Sequence, residues 1–311
     1  MSMRYTMRVL RANRVWGRVA RERLTEPIHL NVASAAVWAL GSYTRKIDWD
    51  LIYKQPYAYS VLKAARFAKH RGVDTVSLLE FGVASGAGLM NMAEIARHVG
   101  EELGISFRLY GFDTGQGMPP ARDYRDHPEY YEQGDFRMDP DALRANLPAN
   151  TTLVLGDLNE TIPAFLESLP KGEPIGFVSI DVDYYWSTVE ALRVLDGAAE
   201  QYMPTTVMYL DDVLFDGHNR WQGELLAIEE FNAAHERRKI ELATLLPTQR
   251  IFRNPQWFRQ IYSLHVLDHP VRSEIRTSST SRHIPNQYLV DRGHADTFQV
   301  PVSSEGGAAR S

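Results

Sequence analysis

The sequence predicts an α/β protein built on a doubly wound, seven-stranded mixed sheet beneath an N-terminal helical cap. Three observations carry this. From residue 75 onward, short apolar runs alternate with helical stretches, the pattern of strand–helix repeats that place helices on both faces of a sheet. Each of the first five runs ends on or beside an acidic residue. The last two runs, 240–246 and 260–267, have no convincing helix between them, so they pair antiparallel and make the sheet mixed.

Bulk properties narrow the class. The chain has 311 residues, 44% hydrophobic and 23% charged, enough for a sizeable core in an ordinary globular protein. A net charge of −5 gives no electrostatic case for a nucleic-acid partner. Residues 1–24 nevertheless hold seven arginines and one glutamate, or +6, which leaves −5 − 6 = −11 for the remainder. Such a basic arm packs on the domain or on a partner, which makes it a candidate for homo-oligomer assembly. The absence of cysteine excludes disulfides, thiolate catalysis and cysteine-ligated zinc. The longest apolar run, 32–40, falls well short of the ~20 residues of a spanning helix. The expectation is a soluble, cytoplasmic protein with no transmembrane segment.

Residues 1–74 read as the basic arm and helical cap, with helical spacing clearest over 57–70. Trp49, Tyr53, Tyr57 and Tyr59 crowd the stretch before it, and aromatics so spaced are core more often than ligand-facing. The domain proper runs from 75 to 270. Strand one is 75–81, followed by a glycine turn at Gly82, Gly86 and Gly88 and a helix over 89–103. Strand two is 107–113, and residues 114–150 then form a long polar lid or insertion. Strand three, 151–157, leads into a helix over 161–169. Strand four, 174–183, precedes a helix over 187–202 that Ser187 or Thr188 caps. Strand five, 205–212, is followed by a helix over 223–238. The tail 271–311 is partly flexible, rich in Ser and Gly.

Ligands of open α/β sheets bind beyond the carboxyl ends of the strands. There the sequence places Glu80, Asp113, Asp157, Asp181, Asp183, Asp211 and Asp212. Capping of turns and helices accounts for part of such a set. The glycine turn lacks both phosphate-cradling fingerprints. Glu80 would repel a pyrophosphate and suits a cationic group, while Asp113 is placed to accept from ribose hydroxyls. A ligand with a ribose, a cationic end and no phosphate is S-adenosylmethionine.

Four stretches together resemble the macrocin O-methyltransferase (TylF-type) family: Glu80-Phe-Gly-Val-Ala-Ser-Gly86, Tyr110-Gly-Phe-Asp113-Thr-Gly-Gln-Gly-Met-Pro119, Ile180-Asp-Val-Asp-Tyr-Tyr-Trp-Ser-Thr188 and Leu210-Asp-Asp212. The resemblance covers about residues 75–235. It implies a Rossmann-like, class I methyltransferase of secondary metabolism that uses S-adenosylmethionine and a divalent metal such as Mg²⁺. It further implies Asp181, Asp211 and Asp212 as metal ligands and Asp183 as general base. Glu80, Gly82, Ser85, Asp113 and Asp157 are the implied cofactor contacts. Two departures stand out: Thr114-Gly-Gln-Gly-Met-Pro119 where the family has Ser-Phe-Glu-Gly-Leu-Pro, and Asp-Asp-Val213 where it has Asp-Asp-Tyr.

Physical chemistry agrees with the metal. Carboxylates crowded at one sheet edge repel one another, and a hard cation with oxygen ligands relieves them. An acceptor hydroxyl of a small molecule, such as a sugar, then loses its proton more easily, with Asp183 to receive it. His218 is a weaker candidate for base or ligand, and Tyr184 and Tyr185 for the cleft wall. Two other functions fit the same scaffold: a cephalosporin hydroxylase-like enzyme, and a non-catalytic binding or assembly protein.

Overall fold

The computed structural model describes residues 13–214 and 217–273. The first half of the expected basic arm and all but the start of the expected tail lie outside the described residues.

Four helices precede the sheet: α1 (Asn13–Leu24), α2 (Ile28–Leu40), α3 (Tyr43–Asp48) and α4 (Gln55–Arg71). The domain then runs β1 (Thr75–Phe81), α5 (Ala87–Leu103), β2 (Ser106–Asp113), α6 (Pro140–Arg144), β3 (Thr151–Leu155), α7 (Leu158–Ser168), β4 (Ile175–Ile180) and α8 (Tyr185–Leu192). It closes with β5 (Tyr202–Leu210), α9 (Gly223–Ala234), β6 (Arg238–Leu242), α10 (Leu246–Gln249) and β7 (Ile261–Val266).

The seven strands form one sheet in the order β3-β2-β1-β4-β5-β7-β6. Strands β1 to β5 are parallel, and β7 runs antiparallel to both β5 and β6. This is the expected mixed, doubly wound Rossmann-like sheet. Two cores flank it. Helices α4 and α5 cover one face, where Tyr57, Leu62, Leu89 and Met92 are buried against Leu78 and Phe177. Helices α7, α8 and α9 cover the other, through Phe165, Leu192 and Phe231 against Val178 and Leu264. Strands β1 and β4 are buried along nearly their whole length, which is why they read as continuous apolar runs.

Several boundaries differ from expectation. Strand β5 begins at Tyr202 and carries Pro204, because the β4–β5 register slips between Ile175 and Phe177 and leaves the proline unpaired in the bulge. The helix expected over 187–202 is shorter. It starts at Tyr185 with no side-chain cap and passes into 3-10 turns after Leu192. Helix α7 starts three residues early because Asp157 caps it, its carboxylate accepting from the Asn159 amide. Helix α9 stops at Ala234 so that Arg238 can open β6.

The strand order reverses between β1 and β4, so the crevice beyond their carboxyl ends is the topological switch point. Main-chain bonds align the strand exits there. The Gly82 amide donates to the Phe112 carbonyl (3.0 Å), Asp181 to Phe81 (3.0 Å) and Asp211 to Ile180 (3.1 Å). The acids seen in the sequence therefore leave the sheet in one row.

Candidate active site

Gly82 sets the spacing of the row. Its φ is +85°, and a Cβ there would sit 1.6 Å from the Asp181 carbonyl oxygen. Only glycine combines that dihedral with so close an approach, so the exits of β1 and β4 meet. Asp113 locks the turn: its Oδ2 accepts from the Val83 and Ala84 amides (both 2.9 Å), and its Oδ1 from Gly115 (2.7 Å). The carboxylate expected at a ribose thus also holds the glycine loop. Ser85 is exposed on that loop, and Asp157 is exposed and engaged as the α7 cap.

Glu80 lies beneath the loop, 1% exposed. Tyr57, fully buried on α4, donates to its Oε1 at 3.2 Å and lies 2.8 Å from Ser179 Oγ. Oε2 has no partner. Burial pushes the Glu80 carboxyl up to about 8, against the opposing pull of the Lys54 charge and the Tyr57 hydrogen bond. Lys54, in a left-handed conformation at φ +55° before α4, holds Nζ 4.6 Å from the Tyr57 ring centroid.

The opposite wall is acidic. Strand β4 ends at Ile180, so Asp181 leaves the strand and Asp183 sits in a left-handed turn at φ +60°. The two carboxylates are therefore related by this turn and not by the expected strand over 174–183. The Asp183 amide donates to Asp212 Oδ2 (3.1 Å), and the Tyr131 hydroxyl, from the 114–150 segment, donates to Asp212 Oδ1 (3.2 Å). The Tyr209 hydroxyl donates to Asp211 Oδ1, and Gln260 Nε2 to the Asp211 carbonyl (2.8 Å).

One carboxylate of this wall is not evident in the sequence. Glu224, in the first turn of α9 and 2% exposed, accepts the Asp212 amide on Oε2 (3.1 Å) and has no partner on Oε1. An acid in a first helical turn is ordinary, so its position alone carries no signal. Burial, reinforced by Asp212, Asp211 and Asp181, holds Glu224 well above the usual carboxylate range. Asp181 and Asp212 are raised likewise, by burial and then by Asp211 and Asp183 respectively. Asp183 is pushed up to about 6 by burial, with Tyr131 opposing and Asp211 adding.

This is an oxygen-rich, under-compensated set whose chemistry suits a hard cation. Even so, no group of three or more His, Asp or Glu side chains among the described residues closes into a metal site. A cleft of about 2230 Å³ opens onto the wall, with Lys54, Tyr209, Asp211, Asp212 and Gln260 on its lining. His218 is exposed on the following turn. Tyr184 and Tyr185 are buried core residues, and the Tyr185 hydroxyl donates to Glu230 (2.5 Å).

The 114–150 segment is pinned over the wall by Asp126, which is fully buried. Its Oδ2 accepts the Arg122 amide (2.7 Å) and its Oδ1 the Trp186 amide of α8 (3.1 Å). That anchor helps bring Tyr131 to Asp212.

Residues 79–213 match a family model described as a methyltransferase domain. The calicheamicin methyltransferase CalS11 is 22% identical, with 69% of this chain and 80% of that one covered at a TM-score of 0.48. The O-methyltransferase NovP is 15% identical over 68% of this chain and 79% of its own, at 0.46. MycE, a methyltransferase of mycinamycin biosynthesis solved with Mg, SAH and mycinamycin VI, is 12% identical over 65% of this chain and 48% of its own, at 0.36. No curated protein matches the sequence. The methyltransferase-domain match spans the glycine turn and the exits of β1 to β5, and the chain is an S-adenosylmethionine-dependent methyltransferase.

Proposed function

We propose that the enzyme moves the methyl group of S-adenosylmethionine to a hydroxyl of a small molecule, a sugar or another natural product, with help from a divalent cation. The observation that carries this is the acidic wall. Asp181, Asp211, Asp212 and Glu224 bear on one another electrostatically at the switch point, across from a glycine loop with a buried glutamate.

In this reading Glu80, Gly82, Ser85, Asp113 and Asp157 line the cofactor side. Glu80 offers its unpartnered Oε2 to a cationic group, and Gly82 lets main chain and ligand approach closely. Asp113 keeps the loop in shape and retains lone pairs for ribose hydroxyls. Asp181, Asp211 and Asp212 would hold the cation, with Mg²⁺ the natural choice for few carboxylates plus waters. The bound groups supply an electrophilic sulfonium methyl and a Lewis acid that lowers the acceptor hydroxyl pKa.

The chain's own part is orientation and proton transfer. With a carboxyl near 6, Asp183 is mostly ionised at neutral pH and strong enough to accept the hydroxyl proton. In that transfer Asp183 would receive and hold the proton of the acceptor hydroxyl. Tyr131, raised by burial and by Asp212, stays protonated and keeps donating to the wall. Calorimetric titration with S-adenosylhomocysteine, with and without Mg²⁺, tests the binding half. Mass spectrometry over a panel of hydroxylated acceptors tests the transfer by the gain of one methyl. No binding under either condition would overturn the proposal.

A further inference from the structure

Helix α4 starts on a strained residue. Lys54, just before it, is left-handed at φ +55°, and the helix begins with no side-chain cap and no acid in its first turn. A side chain with a Cβ rarely adopts that conformation, so the surrounding loop must impose it. The loop is braced accordingly. Gln55 Nε2 donates to the Asp50 carbonyl (2.9 Å), and Arg23 Nη2 to the Trp49 and Asp50 carbonyls (2.9 and 3.1 Å). Arg250 Nη2 donates to Asp50 Oδ1 (2.5 Å). So held, the half-buried Lys54 lies over Tyr57 and Tyr209, whose rings meet edge to face at 5.3 Å. Its Nζ stands 4.6 and 5.5 Å from the two ring centroids. Among the described residues that ammonium makes no hydrogen bond and no ion pair.

A buried anion with a free oxygen lies on the other side of the same ring. Tyr57, in the first turn of α4, donates to Glu80 Oε1 at 3.2 Å, while Glu80 Oε2 is buried without a partner. Of the charges around Glu80, that of Lys54 acts on it most strongly, and it also bears on Asp181. Lys54 opens onto the cleft that reaches Asp211 and Asp212. An ammonium beside the positive end of a long helix suits a carboxylate.

We infer that Lys54, with the N-terminus of α4, holds the α-carboxylate of the methionine end of S-adenosylmethionine, whose α-amine goes to Glu80. The inference rests on the cofactor side proposed above and supplies the cation it lacks. Amine and carboxylate share one carbon, so a carboxylate carried in with the amine arrives beside Glu80. There it faces the acids of the wall, and an unpaired anion among like charges is costly. Lys54 offsets that repulsion, and as a neighbour of both Glu80 and Asp181 it separates the cofactor's anion from the acidic wall.

Calorimetric titration with two ligands tests this: S-adenosylhomocysteine, and its decarboxylated analogue, which keeps the amine and lacks the carboxylate. Wild type should bind S-adenosylhomocysteine about 10- to 100-fold more tightly than the analogue, the usual worth of a hydrogen bond to a charged group. Lys54→Met and Lys54→Asn should each weaken S-adenosylhomocysteine by that factor and leave the analogue's affinity unchanged. Asn accepts the left-handed turn more readily than lysine, so Lys54→Asn should melt no lower than wild type while it loses affinity. Variants that weaken both ligands equally, or neither, overturn the inference and leave Lys54 a loop-shaping residue, with the cofactor side still standing. A wild type that does not distinguish the two ligands overturns it as well. A wild type that binds neither ligand overturns the proposed cofactor side along with it.

Discussion

The main-chain amide of Asp183 donates to Oδ2 of Asp212 at 3.1 Å, so two acids separated by 29 residues share one turn. The bond exists because Asp183 takes a left-handed conformation, φ +60°, which Asp and Asn tolerate better than other side chains with a Cβ. Backbone and carboxylate of the same residue thus have different jobs. The amide fixes Asp212, and the carboxylate, beside Tyr131 and Asp212, is the group to which the proposed function gives the acceptor's proton.

That division makes Asp183→Asn the informative substitution. Asn keeps the left-handed turn and the amide bond to Asp212, and removes only the basic oxygen. Turnover should fall by about 10²- to 10⁴-fold, the usual contribution of a general base. S-adenosylhomocysteine affinity should stay within about threefold. Methyl transfer rates and calorimetry on the same preparation check both halves. Equal loss of binding and turnover would instead make Asp183 a structural residue.

Gly82→Ala tests the meeting of β1 and β4. The added Cβ would lie 1.6 Å from the Asp181 carbonyl, on a residue already at φ +85°. Neither strand exit can retreat without breaking the amide bonds that align the row. The expected cost is about 2–4 kcal/mol of stability by denaturant unfolding, together with loss of cofactor binding.

Much of the fold was legible because buried parallel strands announce themselves as apolar runs, and β2 could be bounded by its terminal acid, whereas β4 stops at Ile180 and not at Asp183 as expected. The β5 start was not legible, since Pro204 looks like a strand breaker until the bulge opposite Ile175 is seen. The acidic row of the candidate site was legible where residues sit at the strand exits: Glu80, Asp113, Asp181, Asp183, Asp211 and Asp212. Asp157 has the same sequence signature and also caps α7, because strand end and helix start are one position in a short loop. Tyr131 reaches Asp212 across 81 residues, and Tyr57 reaches Glu80 across 23. Such contacts are made by tertiary closure and leave no local trace. Glu224 is hidden for the same reason.

The acidic wall should respond to cations before any chemistry. Asp181, Asp212 and Glu224 sit above the usual carboxylate range through burial and mutual repulsion, so a bound divalent ion stabilises the folded state. At one hundred times its dissociation constant Mg²⁺ adds about 2.7 kcal/mol, a rise of several degrees in melting temperature. Asp211→Asn should abolish most of that rise, and chelation should reverse it in the wild type. An equal rise in both proteins would place the ion elsewhere.

Glu80 gives the pH dependence its sign. Its carboxyl is raised from 4.5 to about 8 in the fold, so the folded state holds this proton more tightly than the unfolded chain. The contribution is fully present below about 4.5 and is lost as pH rises toward about 8, with a slope approaching 1.4 kcal/mol per pH unit between them. Glu80→Gln keeps an acceptor for the Tyr57 hydroxyl and cannot ionise. Denaturant unfolding at pH 5, 6, 7 and 8 should show a decline in the wild type that is flatter in Glu80→Gln. Binding should run the other way. A cationic ligand group favours the ionised carboxylate, so S-adenosylmethionine affinity should strengthen as pH rises to 8, with proton release measurable by calorimetry in buffers of different ionisation enthalpy. Were the wild type and Glu80→Gln to release equal numbers of protons, Glu80 would not be the group that meets the cofactor's charge.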